Sequence, residues 1–206
     1  KLFKVCVMRK IPIFTFINKM DRDANDTFDL LDDIEKELGI ATCPMNWPIG
    51  SGKNFKGVYD RRKSEIISFI SHGGSHKATA VEVQLDAPAL SDLIGAEAHE
   101  TLTEEIELLD GANYDFDMHE IQTGHLSPVF FGSALTNFGV EPFLQEFLRL
   151  TPPPLARQTA DGSTVDPFDP HFSAFVFKIQ ANMNKAHRDR IAFMRICSGR
   201  FDKDQE

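Results

Sequence analysis

Apolar and polar positions alternate in blocks along this chain, and the blocks predict its elements. Residues 13–17 (Ile-Phe-Thr-Phe-Ile) are β-branched and aromatic, and Asn18-Lys19-Met20-Asp21 ends the run, which predicts a strand and a polar loop. Phe28, Leu31, Ile34 and Leu38 recur at helical spacing, with Asn25 or Asp26 placed to cap the start and Gly39 just past the end. Residues 55–70 predict two short strands joined near Arg61-Arg62-Lys63, and residues 72–76 (His-Gly-Gly-Ser-His) a flexible loop. Leu90 through Leu109 predicts one long helix with a stripe of Leu93, Ile94, Leu102, Ile106 and Leu109. Residues 127–135 (SPVFFGSAL) form a second apolar run closed by small residues. A helix marked by Phe143, Leu144, Phe147 and Leu148 follows, and these four are expected in the core. Thr151-Pro152-Pro153-Pro154 stops that helix, and a polar, turn-rich linker runs to about Pro170. Residues 175–179 and 191–197 then predict two antiparallel strands around a polar loop.

This order implies half of an α/β domain, an insertion, a return to the domain, a linker and the start of a second domain. The expected boundaries are 1–50 with 122–155, the insertion 51–121, the linker 156–170 and the final unit 171–206. A connection as long as the insertion should carry structure of its own. Two strands alone are marginal in water, so the terminal hairpin is expected to lean on the first domain or on a neighbouring molecule.

Composition narrows the class. Hydrophobic residues make up 42% of the chain and the mean hydropathy is −0.24, which suits a packed core. No apolar run reaches the ~20 residues that a bilayer-spanning helix needs, so no membrane partner is expected. Cys6, Cys43 and Cys197 lie far apart, a pattern that fits a reducing cytoplasm and offers no metal cluster. His72 and His76 have no third ligand nearby, and no metal is expected there.

The net charge is −9, but it is unevenly spread. Eight acids against two bases lie between Asp21 and Glu37, and six acids without a base between Glu97 and Asp110. Six bases against one acid lie between Lys178 and Arg200. Only this last stretch suits a nucleic-acid backbone, whose binding is driven by Lys and Arg. A solvated hairpin with scattered charges is the alternative reading of it.

Asn18-Lys19-x-Asp21 carries the candidate chemistry. It sets an amide, a cation and a carboxylate at the carboxyl end of a strand, where open α/β sheets bind ligands. A carboxylate held in the plane of a base accepts two N–H bonds side by side. Guanine offers that pair and adenine does not, so Asp21 is the candidate base reader. Lys19 can lay its methylene stem over the base while its ammonium stays in water. Asn18 can bond the base edge and tie neighbouring loops together. In the second segment, Ser133 and Ala134 suit a turn whose backbone N–H groups approach a ligand, and one could donate to the guanine carbonyl. Two strands ending in ordinary polar turns are the plainer alternative.

These two segments resemble the translational GTPases. Asn18-Lys19-Met20-Asp21 matches the base-reading motif of that family, and Gly132-Ser133-Ala134-Leu135 its second guanine loop. The resemblance implies that Asn18 and Asp21 contact guanine and that Lys19 packs on it. It also implies that Ser133 steadies the Asp21 carboxylate and that the Ala134 N–H meets the guanine carbonyl, with Leu135 closing the motif. Residues 47–50 (WPIG) and 55–60 (FKGVYD) look like the insertion found in elongation factor G and its relatives. Residues 175–183 (FVFKIQANM), 187–190 (HRDR) and 191–199 (IAFMRICSG) are most similar to the bacterial peptide chain release factor 3 family.

The fold class implied is α/β: the C-terminal part of a P-loop-type GTPase domain with an α+β insertion, followed by the first strands of a β-barrel domain. The ligands implied are GTP and GDP, with Mg²⁺ in an intact parent. The partners implied are the ribosome, with Lys185, Arg188 and Arg190 as contact candidates, and the class-one release factors that the parent would drive off after termination.

A complete GTPase needs G-x-x-x-x-G-K-[ST] to cradle the phosphates. Gly50-Ser51-Gly52-Lys53-Asn54 imitates it, but Trp47 stands at the first glycine position and Asn54 at the metal-binding hydroxyl position. No Asp-x-x-Gly precedes the first strand, and the chain opens inside a helical pattern in which Leu2, Val5 and Cys6 share a face. The expectation is therefore an excised segment whose phosphate, metal and catalytic residues lie upstream, and which alone hydrolyses no GTP. Two alternatives stand beside it: an elongation-factor-G-like translocase or ribosomal protection GTPase, and a non-catalytic interaction domain with a degenerate nucleotide site.

Overall fold

The computed structural model describes residues 2–72, 75–82, 85, 87–112, 115–181 and 190–203, and for residues 69–72 and 75–82 the backbone only. The chain divides into two compact units, Lys1–Thr151 and Pro152–Glu206.

In the first unit, helix α1 (Leu2–Met8) leads to strand β1 (Thr15–Ile17). Helix α2 (Thr27–Leu38) has the expected ends. The Asp26 carboxylate accepts from the Phe28 and Asp29 N–H groups at 2.9 and 3.2 Å, satisfying donors that a helix start leaves unpaired. Gly39 closes it at φ 67°, a left-handed conformation that suits glycine. Strand β2 (Ala41–Pro44) is tied back to α2 by Glu35, whose carboxylate accepts from both the N–H and the hydroxyl of Thr42.

The central strand of the domain arrives late in the sequence. Strand β7 (Leu126–Phe131) lies between β1 and β2 and pairs with both in parallel. All six of its residues are buried, as a strand between two parallel partners requires, and its one polar side chain, Ser127, is hydrogen-bonded to the Thr15 hydroxyl at 2.9 Å. Short helix α5 (Met118–Thr123) precedes it and α6 (Val140–Leu150) follows. An aromatic cluster joins α6 to the sheet, with Phe14–Phe147, Phe16–Phe143 and Phe130–Phe143 ring centroids at 4.9, 5.2 and 5.2 Å.

The chain leaves β2 through Met45 and enters a four-stranded antiparallel sheet: β3 (Asn46–Ile49), β4 (Gly57–Asp60), β5 (Glu65–His72) and β6 (Ser75–Glu82). Helices α3 (Pro88–Ile94) and α4 (Ala96–Gly111) pack on it. One buried amide joins the two sheets. Asn46 Nδ2 donates to the Phe131 carbonyl at 3.1 Å and its Oδ1 accepts the Phe131 N–H at 2.7 Å, so a side chain stands in for a neighbouring strand. Trp47, fully buried, packs on Phe28 and Phe131, and its Nε1 donates to Glu105 Oε2 at 2.7 Å.

Three expectations need correction. The long helix is two helices, because Gly95 sits at φ 88°, ψ 149° and turns the chain between Ile94 and Ala96. Leu90 and Ile94 face inward, whereas Leu93 of the expected stripe is exposed. The flexible loop at 72–76 is mostly strand: His72 pairs with Ser75 and Ser71 with His76, while residues 73–74 and the two histidine side chains lie outside the description. Nor is the α6 stripe all core. Leu144, Phe147 and Leu148 are 51%, 38% and 77% exposed, since the three-stranded sheet offers cover for Phe143 and Leu150 but not for a full apolar face.

The second unit holds a small hairpin, β8 (Arg157–Gln158) with β9 (Thr164–Val165), inside the expected linker. A longer antiparallel pair follows, β10 (Ser173–Ala181) with β11 (Arg190–Ser198). Phe175, Phe177 and Ile179 of β10 and Ile191 and Ile196 of β11 are exposed. No helix among the described residues is long and apolar enough to cross a membrane.

Burial pushes the Glu105 carboxyl above its ordinary range; the Trp47 bond pulls it down and the Asp26 charge pushes it up again. A raised folded-state value means that the folded protein holds its proton when the unfolded chain has released it. Stability from this group is therefore full below the unfolded value of about 4.5 and is lost as pH rises through the raised one. Glu105→Gln keeps an acceptor for Trp47 and removes the charge. Relative to the wild type, it should gain stability in denaturant unfolding as pH rises above about 4.5. A difference that does not change with pH would contradict this.

Candidate functional site: two loops at the sheet's carboxyl edge

The carboxyl ends of β1 and β7 are neighbours, so the loops that follow them meet. Their backbones interlock. Gly132 N–H donates to the Ile17 carbonyl at 3.0 Å, and Met20 N–H to the Gly132 carbonyl at 3.1 Å. Asn18 Oδ1 accepts from Lys19 N–H and from Ala134 N–H, both at 2.8 Å. Residues 116 positions apart in sequence are thus stapled by one amide oxygen.

Close approach explains Gly132. A Cβ there would lie 2.6 Å from the Phe138 carbonyl and 2.8 Å from the Phe16 ring, distances that side chains do not tolerate. The 133–138 turn is closed by Ser133 N–H to Phe138 O at 3.0 Å and Phe138 N–H to Ser133 O at 2.8 Å. In the first loop Lys19 adopts φ 72°, an uncommon conformation for a residue with a side chain. Met20, 1% exposed, anchors the loop in the core. Beside it, Asp21 Oδ1 is sealed from solvent and has no hydrogen-bond partner. Leaving a buried acceptor unpaired costs about 1–3 kcal/mol.

Asn18, Lys19, Asp21, Ser133, Ala134 and Leu135 are therefore brought to one edge of the sheet, but two expected contacts differ. The Ser133 hydroxyl does not reach Asp21 Oδ1; the closed turn holds it inward, where it accepts from Thr136 N–H at 3.4 Å. The Ala134 N–H is bonded to Asn18 rather than left open for a ligand. Asn18 in turn has its carbonyl occupied, which leaves its NH₂ end as the donor. Leu135 is 79% exposed.

Sequence reasoning missed a third segment. The loop from Gly50 to Asn54, set aside as an imitation of a phosphate loop, folds as a short 3₁₀ turn (Gly52–Asn54) against the first loop. Gly52 N–H donates to the Met20 carbonyl at 3.0 Å. Its glycines were the only available signal. Of the basic candidates in the second unit, Arg190 is exposed at the start of β11. Lys185 and Arg188 lie outside the described residues. No group of three or more His, Cys, Asp or Glu able to hold a metal occurs among the described residues.

Residues 1–153 match the family of the elongation factor Tu GTP binding domain. The chain belongs to that family. Residues 171–206 match elongation factor G domain 2, so the fold is a GTP-binding domain segment followed by strands of that second domain. The chain is 56% identical to peptide chain release factor 3 of Symbiobacterium thermophilum over its whole length, covering 39% of that protein. It is 51% identical to the same factor of Synechococcus elongatus over 99% of the chain, covering 37% of it. For the factor of Limosilactobacillus reuteri the identity is 49% over the whole chain and the coverage 39%. The chain thus spans under two-fifths of the length of these relatives.

The Asn18 staple has a direct test. Asn18→Ala removes the acceptor shared by the Lys19 and Ala134 N–H groups. Each should exchange with solvent about fivefold faster, the equivalent of ~1 kcal/mol per bond. Unchanged exchange at Ala134 would show that the two loops are held without Asn18.

Proposed function

We propose that this chain supplies the guanine-recognition edge of a ribosome-dependent GTPase of the release-factor-3 type. The staple between the two loops carries the reading: Asn18 Oδ1 accepts the Ala134 N–H at 2.8 Å, which sets Asp21 and the 133–135 turn at one edge of the sheet. A carboxylate at that edge suits a ligand that brings two N–H donors side by side, and guanine N1 and N2 are such a pair. Asn18, with Oδ1 committed to the two loops, offers its NH₂ to the other edge of the base. The exposed turn at Leu135 takes the place of Ala134 as the backbone donor to the guanine carbonyl. Lys19 covers the base face. Binding GTP and GDP through these groups rejects a base without the donor pair, because Asp21 would remain unpaired.

In this proposal the phosphate- and Mg²⁺-binding residues belong to parts of a longer protein outside these residues, and bound Mg²⁺ would neutralise phosphate charge there. The division into a GTPase part (1–50 and 122–155), an inserted subdomain (51–121), a linker (156–170) and a second domain (171–206) is part of the same reading. The whole protein acts on cytoplasmic ribosomes and promotes dissociation and recycling of class-one release factors. The basic stretch containing Lys185, Arg188 and Arg190 is its candidate contact with ribosomal RNA. A translocase would share the second-domain match; the relatives at 49–56% identity, all named release factor 3, favour the recycling role.

Calorimetric titration of the full-length protein with GDP and XDP tests the site. Asp21→Asn should weaken GDP by about 100-fold and turn preference toward XDP, whose extra carbonyl accepts from the new amide. Indifference of both proteins to the base would sink the proposal. The 206-residue chain by itself should hydrolyse no GTP, and turnover by the chain alone at the full-length rate would contradict that part.

A further inference from the structure

The Gly50–Asn54 loop touches the candidate base-reading loop where its geometry matters most. Met20 C=O and Asp21 N–H belong to one planar peptide group. The Gly52 N–H bond to Met20 O, 3.0 Å long, therefore orients the plane from which Asp21 departs. From the other side, Met20 N–H is held by the Gly132 carbonyl. Asp21 thus follows a residue clamped at both backbone groups and buried at its side chain.

Contact continues past Asp21. A Cβ on Gly52 would lie 2.2 Å from Asp23 Oδ1 and 3.1 Å from Asp23 N, and Gly52 has φ 59°. A side chain at Gly52 would have to turn the Asp23 carboxylate aside and press on the Asp23 backbone, and the left-handed φ disfavours it further. Gly50, at φ 74°, lies against the Asn54 carbonyl, with 2.4 Å left for a Cβ. The turn is thereby folded on itself as it meets the first loop. The same turn continues into β4 and the four-stranded sheet, with Phe55 packed on Phe138, the residue that closes the second loop, at 5.2 Å between ring centroids.

We propose that Gly52 is a positioning residue for guanine selectivity: its N–H and its missing side chain set the direction of the Asp21 carboxylate, so the four-stranded sheet region is built into base recognition. This rests on the guanine reading above. Asp21 makes the discriminating contact and Gly52 acts through it.

The probes are GDP and IDP, which differ only in the 2-amino group that Asp21 would read. In the full-length protein, the wild type should favour GDP by roughly 10–100-fold, the worth of one hydrogen bond to a charged group. Gly52→Ala should reduce that ratio at least about threefold, and Asp23→Ala added to it should restore part of the ratio by relieving the contact. A purely structural role would weaken GDP and IDP in parallel, leaving the ratio unchanged, and that result would overturn the proposal. Should Gly52→Ala fail to fold, hydrogen exchange on the wild type decides. Gly52 N–H should become more protected with GDP than with IDP, and equal protection would count against the proposal. If Asp21→Asn alters the GDP/IDP ratio and Gly52→Ala does not, only this inference fails. If neither does, the guanine reading itself fails.

Discussion

Met20 is held at three points, and the geometry of the site depends on them. Its side chain is buried in the core, its N–H bonds to Gly132 and its carbonyl accepts from Gly52. The three anchors come from distant parts of the chain. A loop of polar residues would otherwise sample many conformations, and fixing the backbone of one residue costs roughly 1–2 kcal/mol at room temperature. Here the cost is met by packing and backbone bonding at an apolar residue in the middle of the motif. The polar neighbours on either side are left for chemistry.

The same division of labour recurs in the core. Trp47 joins α2, β7 and α4 through ring contacts and one hydrogen bond, and Asn46 beside it joins β3 to β7 through both polar ends of its amide. The Trp47 link is not free of cost, as the burial of Glu105 shows. Each link restricts how the four-stranded sheet is set against the parallel sheet, because amide and indole bonds are directional where apolar contacts are not. The orientation of the Gly52 turn relative to Met20 depends on that restriction.

The parallel sheet follows a logic of its own. Its central strand, β7, comes after more than half of the chain, so β1 and β2 cannot be completed until the intervening residues have folded back. A parallel partner requires a long crossover, and here the crossover includes the four-stranded sheet and four helices. Bringing Asn18 against Ala134 is a consequence of that topology, not of local preference.

Local signals in the sequence determined a good deal. Asp26 and Gly39 mark the ends of α2 through their capping chemistry, and the β-branched run before Asn18 announces a strand with a polar loop at its end. Paired with the run ending at Gly132-Ser133-Ala134, that loop already points to guanine. Tertiary structure decided how the parts engage: the commitment of the Ala134 N–H to Asn18, the inward turn of Ser133, the break at Gly95 and the seat of Gly52 under Met20. The physical reason is range. Caps, strands and motif spacing arise from neighbours a few residues apart, whereas the partner of a backbone N–H in a loop is set by which distant segment the fold brings within 3 Å.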